Sequence, residues 1–159
     1  MRPQLRKLAL TAHIASSVGW FGAVLTFLAV AIVGVTAQDD QVLRAANLIA
    51  QPVVRYVVLP FAVASLLTGL LSSLGSTWGL FRHYWVIFKL VLNAVATAVL
   101  LIYTGTVDRF AAVAADPSAD LAPLRTPTFV VHAGGAVVVL VVAMVLAVYK
   151  PRGTTGLRL

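Results

Sequence analysis

Long apolar stretches separated by short polar segments dominate this chain. Four of them, at about residues 8–35, 53–74, 84–106 and 128–149, reach the roughly 20 residues that a helix needs to cross a bilayer. Each stretch mixes Leu, Val and Phe with Gly, Ala, Ser and Thr, so some helix faces meet other helices rather than lipid. We therefore predict an all-α fold with a single membrane domain over residues 1–159, arranged as a transmembrane four-helix bundle.

The polar segment between the first two stretches, residues 38–51, has the pattern of a short surface helix in an outer loop. Asp39 or Asp40 can cap its start. Its apolar and polar residues fall on opposite faces at helical spacing, with Val42, Leu43, Ala46 and Ile49 on one face and Arg44, Asn47 and Gln51 on the other.

Composition supports a membrane protein. Hydrophobic residues make up 60% of the chain and charged residues only 11%, whereas soluble domains carry about 25% charged residues. The net charge of +7 is confined to short segments beside the apolar stretches. We therefore expect the lipid bilayer, and not a nucleic acid, as the principal partner.

The distribution of charge predicts the orientation. All five aspartates lie in the two loops on one side. The other side carries basic residues without any acidic residue: Arg2, Arg6, Lys7, Arg82, Lys150, Arg152 and Arg158. The positive-inside rule then places both termini in the cytoplasm, in a multi-pass protein of the cell membrane.

The first stretch has one alternative interpretation. Residues 35–37 resemble a signal-peptidase site, and the basic residues before the stretch resemble the start of a signal peptide. The apolar region of a signal peptide is about 7–15 residues long, and this stretch is nearly twice that length. We therefore expect it to remain as the first membrane helix.

Small residues recur at helical spacing on two of the predicted helices. Such stripes allow helix backbones to approach closely in lipid. They favour packing within the bundle, with a homo-oligomer or a partner in a membrane complex as the alternative. The stripes are Ala15, Gly19 and Ala23 on the first helix, and Ser65, Gly69 and Ser73 on the second.

Three ionisable residues fall inside the predicted spans: His13, Lys89 and His132. Such residues are costly in lipid and are therefore candidates for function. At 1.5 Å per residue, His13 and Lys89 lie about 9 and 10 Å from the cytoplasmic edge, and His132 about 27 Å from it. The first two can share a site, whereas the two histidines are too far apart to bind one haem together.

Further residues extend this site. Asn93 follows Lys89 by one turn, Trp20 lies two turns above His13, and two basic residues lie at the cytoplasmic mouth. The predicted cofactor-binding residues are His13, Lys89, Asn93, Trp20, Arg82 and His83, with His13 as the metal ligand. The structural alternatives are that Lys89 extends to the headgroups, that His13 bonds a serine or a carbonyl, and that His132 pairs with Arg55 or Asp108.

Two segments carry a family resemblance. Residues 13–22, HIASSVGWFG, and 79–90, GLFRHYWVIFKL, resemble small actinobacterial membrane proteins of unknown function. More distantly they resemble HemJ-type protoporphyrinogen oxidases, with a histidine and a tryptophan on the first helix and a later Lys-Leu pair, and the membrane domain of CopD-type copper proteins. The HemJ resemblance implies that His13 and Lys89 form a pair associated with haem and activity.

Two functions of different classes follow. The first is binding of a b-type haem or porphyrin in the cytoplasmic half of the bundle, with a redox role. The alternative is a non-enzymatic structural or assembly subunit of a membrane complex, and a carrier for a small ion ranks third. No catalytic motif assigns an enzyme class, and the chain contains neither Cys nor Glu. Copper(I) prefers sulfur ligands, of which the chain offers only Met1 and Met144.

Overall fold

A computed structural model describes residues 2–75 and 79–156; Met1 and Arg158 lie outside this part of the chain. The described residues form long helices joined by short connections. A π-helical turn, Val54–Val58, makes the second and third of them one continuous helix, and a 3₁₀ turn, Ala122–Leu124, precedes the last. The α-helices are α1 (Pro3–Thr36), α2 (Asp40–Val53), α3 (Leu59–Leu74), α4 (Tyr84–Ala115) and α5 (Thr128–Tyr149).

The predicted all-α bundle is confirmed. Four helical units of 34, 35, 32 and 28 residues are long and apolar enough to cross a membrane. A helix of about 20 residues suffices for the hydrocarbon core, so each unit can extend beyond it. The chain is a multi-pass integral membrane protein.

Two helix limits differ from the prediction. Helix α4 continues nine residues past the predicted end at 106, because its last turns are buried against the rest of the protein through Ala111 and Ala114. The helix predicted for residues 38–51 exists as α2, but it runs directly into the second span through the π-helical turn. Asn47, predicted to face away from the protein, is buried and donates to the carbonyl of Leu43.

The helices surround a shared interior. Helix α1 packs most extensively on α3 and also contacts α2 and α5. Helix α4 packs on α2, α3 and α5. Because α3 and α5 each contact both α1 and α4, helices α1 and α4 lie opposite each other across the bundle. Residues on the inner faces of α1 and α4 can therefore approach one space.

The apolar core fills only part of the bundle. Aromatic rings form its centre: the ring centroid of Phe129 lies 5.5 Å from that of Phe27 and 5.1 Å from that of Phe110. Trp20 is 2% exposed and is the first residue of α1 to join this core. Among the described residues, the core includes none of α3 after Ala62 and none of α4 before Ala96.

Arginines stabilise the end of the bundle that carries the aspartates, which we call the acidic end. Arg55 pairs with Asp108 at 2.7 Å, and Arg125 pairs with Asp40 at 2.8 Å. Arg44 donates to carbonyl groups at the end of α4 and in the following loop, which otherwise lack helical partners. Its acceptors are the carbonyl oxygens of Val113, Ala114, Asp116, Pro117 and Ala119.

The loop after α4 has its own local order. The hydroxyl and the backbone N–H of Ser118 both donate to the Asp116 carboxylate, at 2.7 and 2.8 Å. These hydrogen bonds hold the pKa of Asp116 below its ordinary value. A carboxylate that is charged and bonded in this way keeps the loop closed in a tight turn.

The opposite end is basic. Here α1 and α4 begin and α3 and α5 end, and no aspartate lies in the sequence on this side. We call it the basic end, and it contains Arg6, Lys7, Arg82, Lys150 and Arg152. The two ends therefore differ sharply in charge and in how their cations are neutralised.

Replacing Arg44 with Lys should destabilise the protein. A lysine ammonium cannot reproduce the forked donor geometry of a guanidinium, so several carbonyls at the end of α4 would lose their partner. Losing hydrogen bonds to a charged group costs about 1.5–3 kcal/mol. Chemical unfolding in detergent micelles should show this loss, whereas Arg109→Lys, at an exposed site with one bond to Thr106, should change stability by less than about 0.5 kcal/mol. Equal effects of the two substitutions would contradict the capping role.

The predicted orientation can be tested directly, because the chain contains no cysteine. Single cysteines replace Ser118, at the acidic end, and Gln4, at the basic end; both positions are exposed. A membrane-impermeant maleimide should label Ser118→Cys in intact cells and Gln4→Cys only after permeabilisation, since basic segments are retained inside. Labelling of Gln4→Cys in intact cells would reverse the orientation.

Candidate functional site

A seam of polar side chains joins α1 to α3 near the basic end, and we call it the polar seam. The Nδ1 atom of His13 lies 3.1 Å from the carbonyl oxygen of Ser65 and 3.3 Å from the Thr68 hydroxyl. The Ser16 hydroxyl lies 3.1 Å from that of Thr68, and the hydroxyls of Ser17 and Ser65 are 2.8 Å apart. Hydrogen bonds of this kind join helices where lipid offers polar groups no partner.

The shape of α3 makes room for the imidazole. A β-carbon added to Gly69 would lie 3.0 Å from Cε1 of His13, so the glycine leaves the space that the ring fills. About two turns further along the same interface, a β-carbon at Gly19 would meet the Phe61 ring at 2.6 Å. One glycine of each small-residue stripe therefore lies at the interface between α1 and α3, whereas Ala15 of the first stripe is exposed.

The hydrogen bonds of His13 fix the tautomer of its ring. A backbone carbonyl oxygen can only accept, so Nδ1 must carry the proton that is shared with Ser65 and Thr68. The second nitrogen, Nε2, has no hydrogen-bond partner among the described residues. A neutral imidazole held in this way presents an unshared electron pair on Nε2, which is the arrangement typical of histidines that bind metals.

Lys89 lies at the same level on the opposite helix. It is five residues from the start of α4, about 8 Å into the bundle, and Thr68 is six residues from the end of α3, about 9 Å from the same side. Lys89 is only partly exposed, and its ammonium finds no hydrogen-bond acceptor within the described part of the chain.

Other polar groups surround this level. Asn93 accepts a bond from Thr97 at its backbone carbonyl, 2.8 Å away, and its side-chain amide makes no hydrogen bond to a described residue. The buried hydroxyl of Ser72, one turn beyond Thr68 on α3, also has no partner among the described residues. Trp20 closes the region on the side of the apolar core. The structure thus brings polar groups without partners to a level where the apolar core is absent.

Arg82 and His83, the last two of the predicted cofactor-binding residues, lie before the first residue of α4. Arg82 is exposed and His83 is partly exposed, in the connection that leads into α4. His83 forms an antiparallel bridge with Thr154 of the C-terminal tail. The structure therefore separates these residues from the polar seam and associates them with the tail.

His132 occupies a different part of the molecule. Its Nδ1 lies 2.8 Å from the carbonyl oxygen of Thr128, and its ring stacks on Tyr103 with centroids 3.8 Å apart. The pairing with Arg55 or Asp108 considered from the sequence is wrong, because those two residues pair with each other. Tyr103 lies 19 residues into α4, so His132 is roughly 20 Å from the level of His13 along the bundle.

Two further observations bear on ligand binding. Within residues 2–75 and 79–156, no three His or Asp side chains are grouped as metal ligands. Two concavities lie at the acidic end, and the larger, of about 510 Å³, is lined by groups that include Asp40, Arg44 and Arg125. Neither of these two concavities is lined by a predicted site residue.

Comparisons with protein-family models, with curated proteins and with solved structures found no significant match. The chemistry of the site therefore has to be argued from the residues themselves.

The contact between His13 and Gly69 gives a stability test. Gly69→Ala should destabilise the protein by about 1–3 kcal/mol, since the added methyl group overfills a packed interface. In a His13→Ala background the ring is gone, and the same substitution should be neutral or slightly stabilising, as Ala is the better helix former. A double-mutant cycle measured by thermal unfolding in detergent isolates this coupling.

Gly22→Ala is the matched control, because nothing lies within 4 Å of a β-carbon at that position. It should not destabilise the protein in either background. If Gly69→Ala is equally harmful with and without His13, the imidazole does not occupy the space beside this glycine.

Proposed function

We propose that this membrane protein binds a b-type haem or a porphyrin at the basic end of its bundle, with Nε2 of His13 as the ligand to the iron. The observation that carries the proposal is the hydrogen bond from Nδ1 of His13 to the Ser65 carbonyl. It orients the ring and leaves Nε2 with a free electron pair. When bound, the haem would supply one-electron redox chemistry at its iron.

The residues present fit such a group in two respects. The main apolar core ends at Trp20 on α1 and at Ala62 on α3, so a ring inserted near His13 would lie beyond this core. Trp20 offers an aromatic surface at the boundary of that region. His13 supplies one ligand only, since His132 lies too far along the bundle to be a second.

Lys89 gives the site a complementary charge. An ammonium inside a membrane span is costly unless it has a counter-charge, and the described residues provide no carboxylate at this end. A propionate of the tetrapyrrole meets this requirement, and Asn93 can donate its amide protons to the same group. Arg82 and His83 remain predicted partners for a propionate that extends to the headgroups.

A second function is supported by a specific observation. The His13 ring already joins two helices, through its bonds to Ser65 and Thr68 and its contact with Gly69. In a structural or assembly subunit of a membrane complex, the role of His13 would be to hold α1 against α3. The polar seam would then hold the bundle together without any cofactor.

Absorption spectroscopy separates the two functions. Protein purified in detergent from haem-replete cells should show a Soret band, and its intensity per chain should fall at least tenfold in His13→Ala. His132→Ala is the matched control, because it removes a histidine whose Nδ1 also bonds a backbone carbonyl but at the other end of the bundle. This variant should retain the band.

Reconstitution of the purified protein with hemin gives an independent readout. His13→Ala and Lys89→Met should both weaken binding, the first through loss of the ligand and the second through loss of the counter-charge. A folded protein that shows no Soret band and no saturable hemin binding would contradict the proposal. Co-purification of a stoichiometric membrane partner under the same conditions would favour the structural function.

A further inference from the structure

The C-terminal tail folds back onto the connection that precedes α4. Helix α5 ends at Tyr149. The left-handed conformation of Lys150 (φ 44°) then turns the chain, and Pro151 prevents the helix from continuing. The backbone N–H of Thr155 then donates to the carbonyl of Arg82 at 3.1 Å. We call residues 150–156 the strap.

Several contacts hold the strap in place. In addition to the bond to Arg82, the Thr155 hydroxyl donates to the carbonyl of Phe81, and Thr154 forms the antiparallel bridge with His83. Gly153 lies against Tyr84, whose Cδ2 would be 3.3 Å from an added β-carbon. Hydrogen bonds to backbone carbonyls of the connection thus help to fix the strap.

Each of the two segments joined in this way carries an arginine. Arg82 lies in the connection and Arg152 in the strap, and both are exposed. All five aspartates of the chain are at the other end, and neither arginine forms an ion pair within the described residues. At the acidic end, by contrast, Arg55 and Arg125 each have a carboxylate within 3 Å. A guanidinium group without a carboxylate partner favours an external anion as its counter-charge.

The neighbouring side chains indicate where that anion comes from. Phe81, Tyr84 and Tyr149 are 43%, 62% and 77% exposed around the strap. Aromatic side chains beside basic ones are typical of the headgroup layer of a bilayer. The anion most accessible to this surface is therefore the phosphate of a phospholipid, and not a solute held inside the protein.

We propose that the strap and the connection form a binding site for the headgroup phosphate of an anionic phospholipid, with Arg82 and Arg152 as its cationic contacts. Arginine is suited to this role because its planar fork binds phosphate oxygens in pairs. Arg82 is also a predicted partner of a haem propionate, but Arg152 and the strap belong to this site alone, and the test below needs no haem. A lipid at this position would also neutralise the charge that the strap concentrates there.

Native mass spectrometry of the full chain tests the proposal. The protein is released from detergent micelles that contain equal amounts of phosphatidylglycerol and phosphatidylcholine, and the bound lipids are counted. The wild type should retain phosphatidylglycerol preferentially. Arg82→Gln and Arg152→Gln should each reduce this preference about fivefold, the effect expected for one basic residue at a membrane surface.

Two matched variants distinguish a built site from general attraction to charge. Arg109→Gln removes one positive charge at the acidic end and should leave the preference unchanged. Thr155→Pro keeps the net charge but removes both the N–H and the hydroxyl that fix the strap, and it should reduce the preference as much as the arginine variants do. Circular dichroism should show that all four variants remain helical, since each position lies on the surface.

Several results would overturn the proposal. A full phosphatidylglycerol preference in Thr155→Pro would show that charge alone attracts the lipid. An equal loss in Arg109→Gln would show that position does not matter. Displacement of the lipid by millimolar inorganic phosphate would show that the site binds a free anion rather than a lipid headgroup.

Discussion

The hydrogen bonds between α1 and α3 are the constraint on which the basic half of this protein depends. A helix pair in lipid gains little from the hydrophobic effect, and close packing and interhelical hydrogen bonds hold it together. Here Gly69 admits the His13 ring, and the Ser65 carbonyl accepts its proton. Each such bond contributes only about 0.6 kcal/mol in a membrane, but their joint effect fixes one imidazole tautomer and therefore the chemistry that His13 can perform.

The two ends of the bundle differ in how their polar and charged groups are paired. At the acidic end, arginines bond carboxylates and free carbonyls, and aromatic rings fill the interior. At the basic end the apolar core stops at Trp20, and Lys89, Asn93 and Ser72 lack partners among the described residues. Unsatisfied polar groups are expensive in a membrane, so this half is the one in which a ligand lowers the free energy most. The proposed haem and lipid sites both follow from that asymmetry.

The helices were predictable from the sequence because apolar length alone determines them. The level shared by His13 and Lys89 was predictable too, since it depends only on the rise per residue. What could not be predicted depends on contacts between distant segments. The helix of residues 38–51 was predicted as separate from the span that begins at residue 53, but a π-helical turn joins the two. Asp108 suggested a loop, but its bonds to Arg55 and Gln51 keep it within α4. The partners of His13 on α3 carried only a weak signal, the spacing of small residues, which does not say which helix they face.

The most direct test of this account is the protonation pattern of one imidazole ring. ¹⁵N NMR of histidine-labelled protein in detergent or bilayers, with His13 assigned by comparison with His13→Ala, reports which ring nitrogen carries the proton. The account predicts a proton on Nδ1 and a bare Nε2 in protein free of haem. A proton on Nε2 with a bare Nδ1 would mean that the Ser65 carbonyl does not hold the ring, and the oriented ligand on which the proposed function rests would be absent.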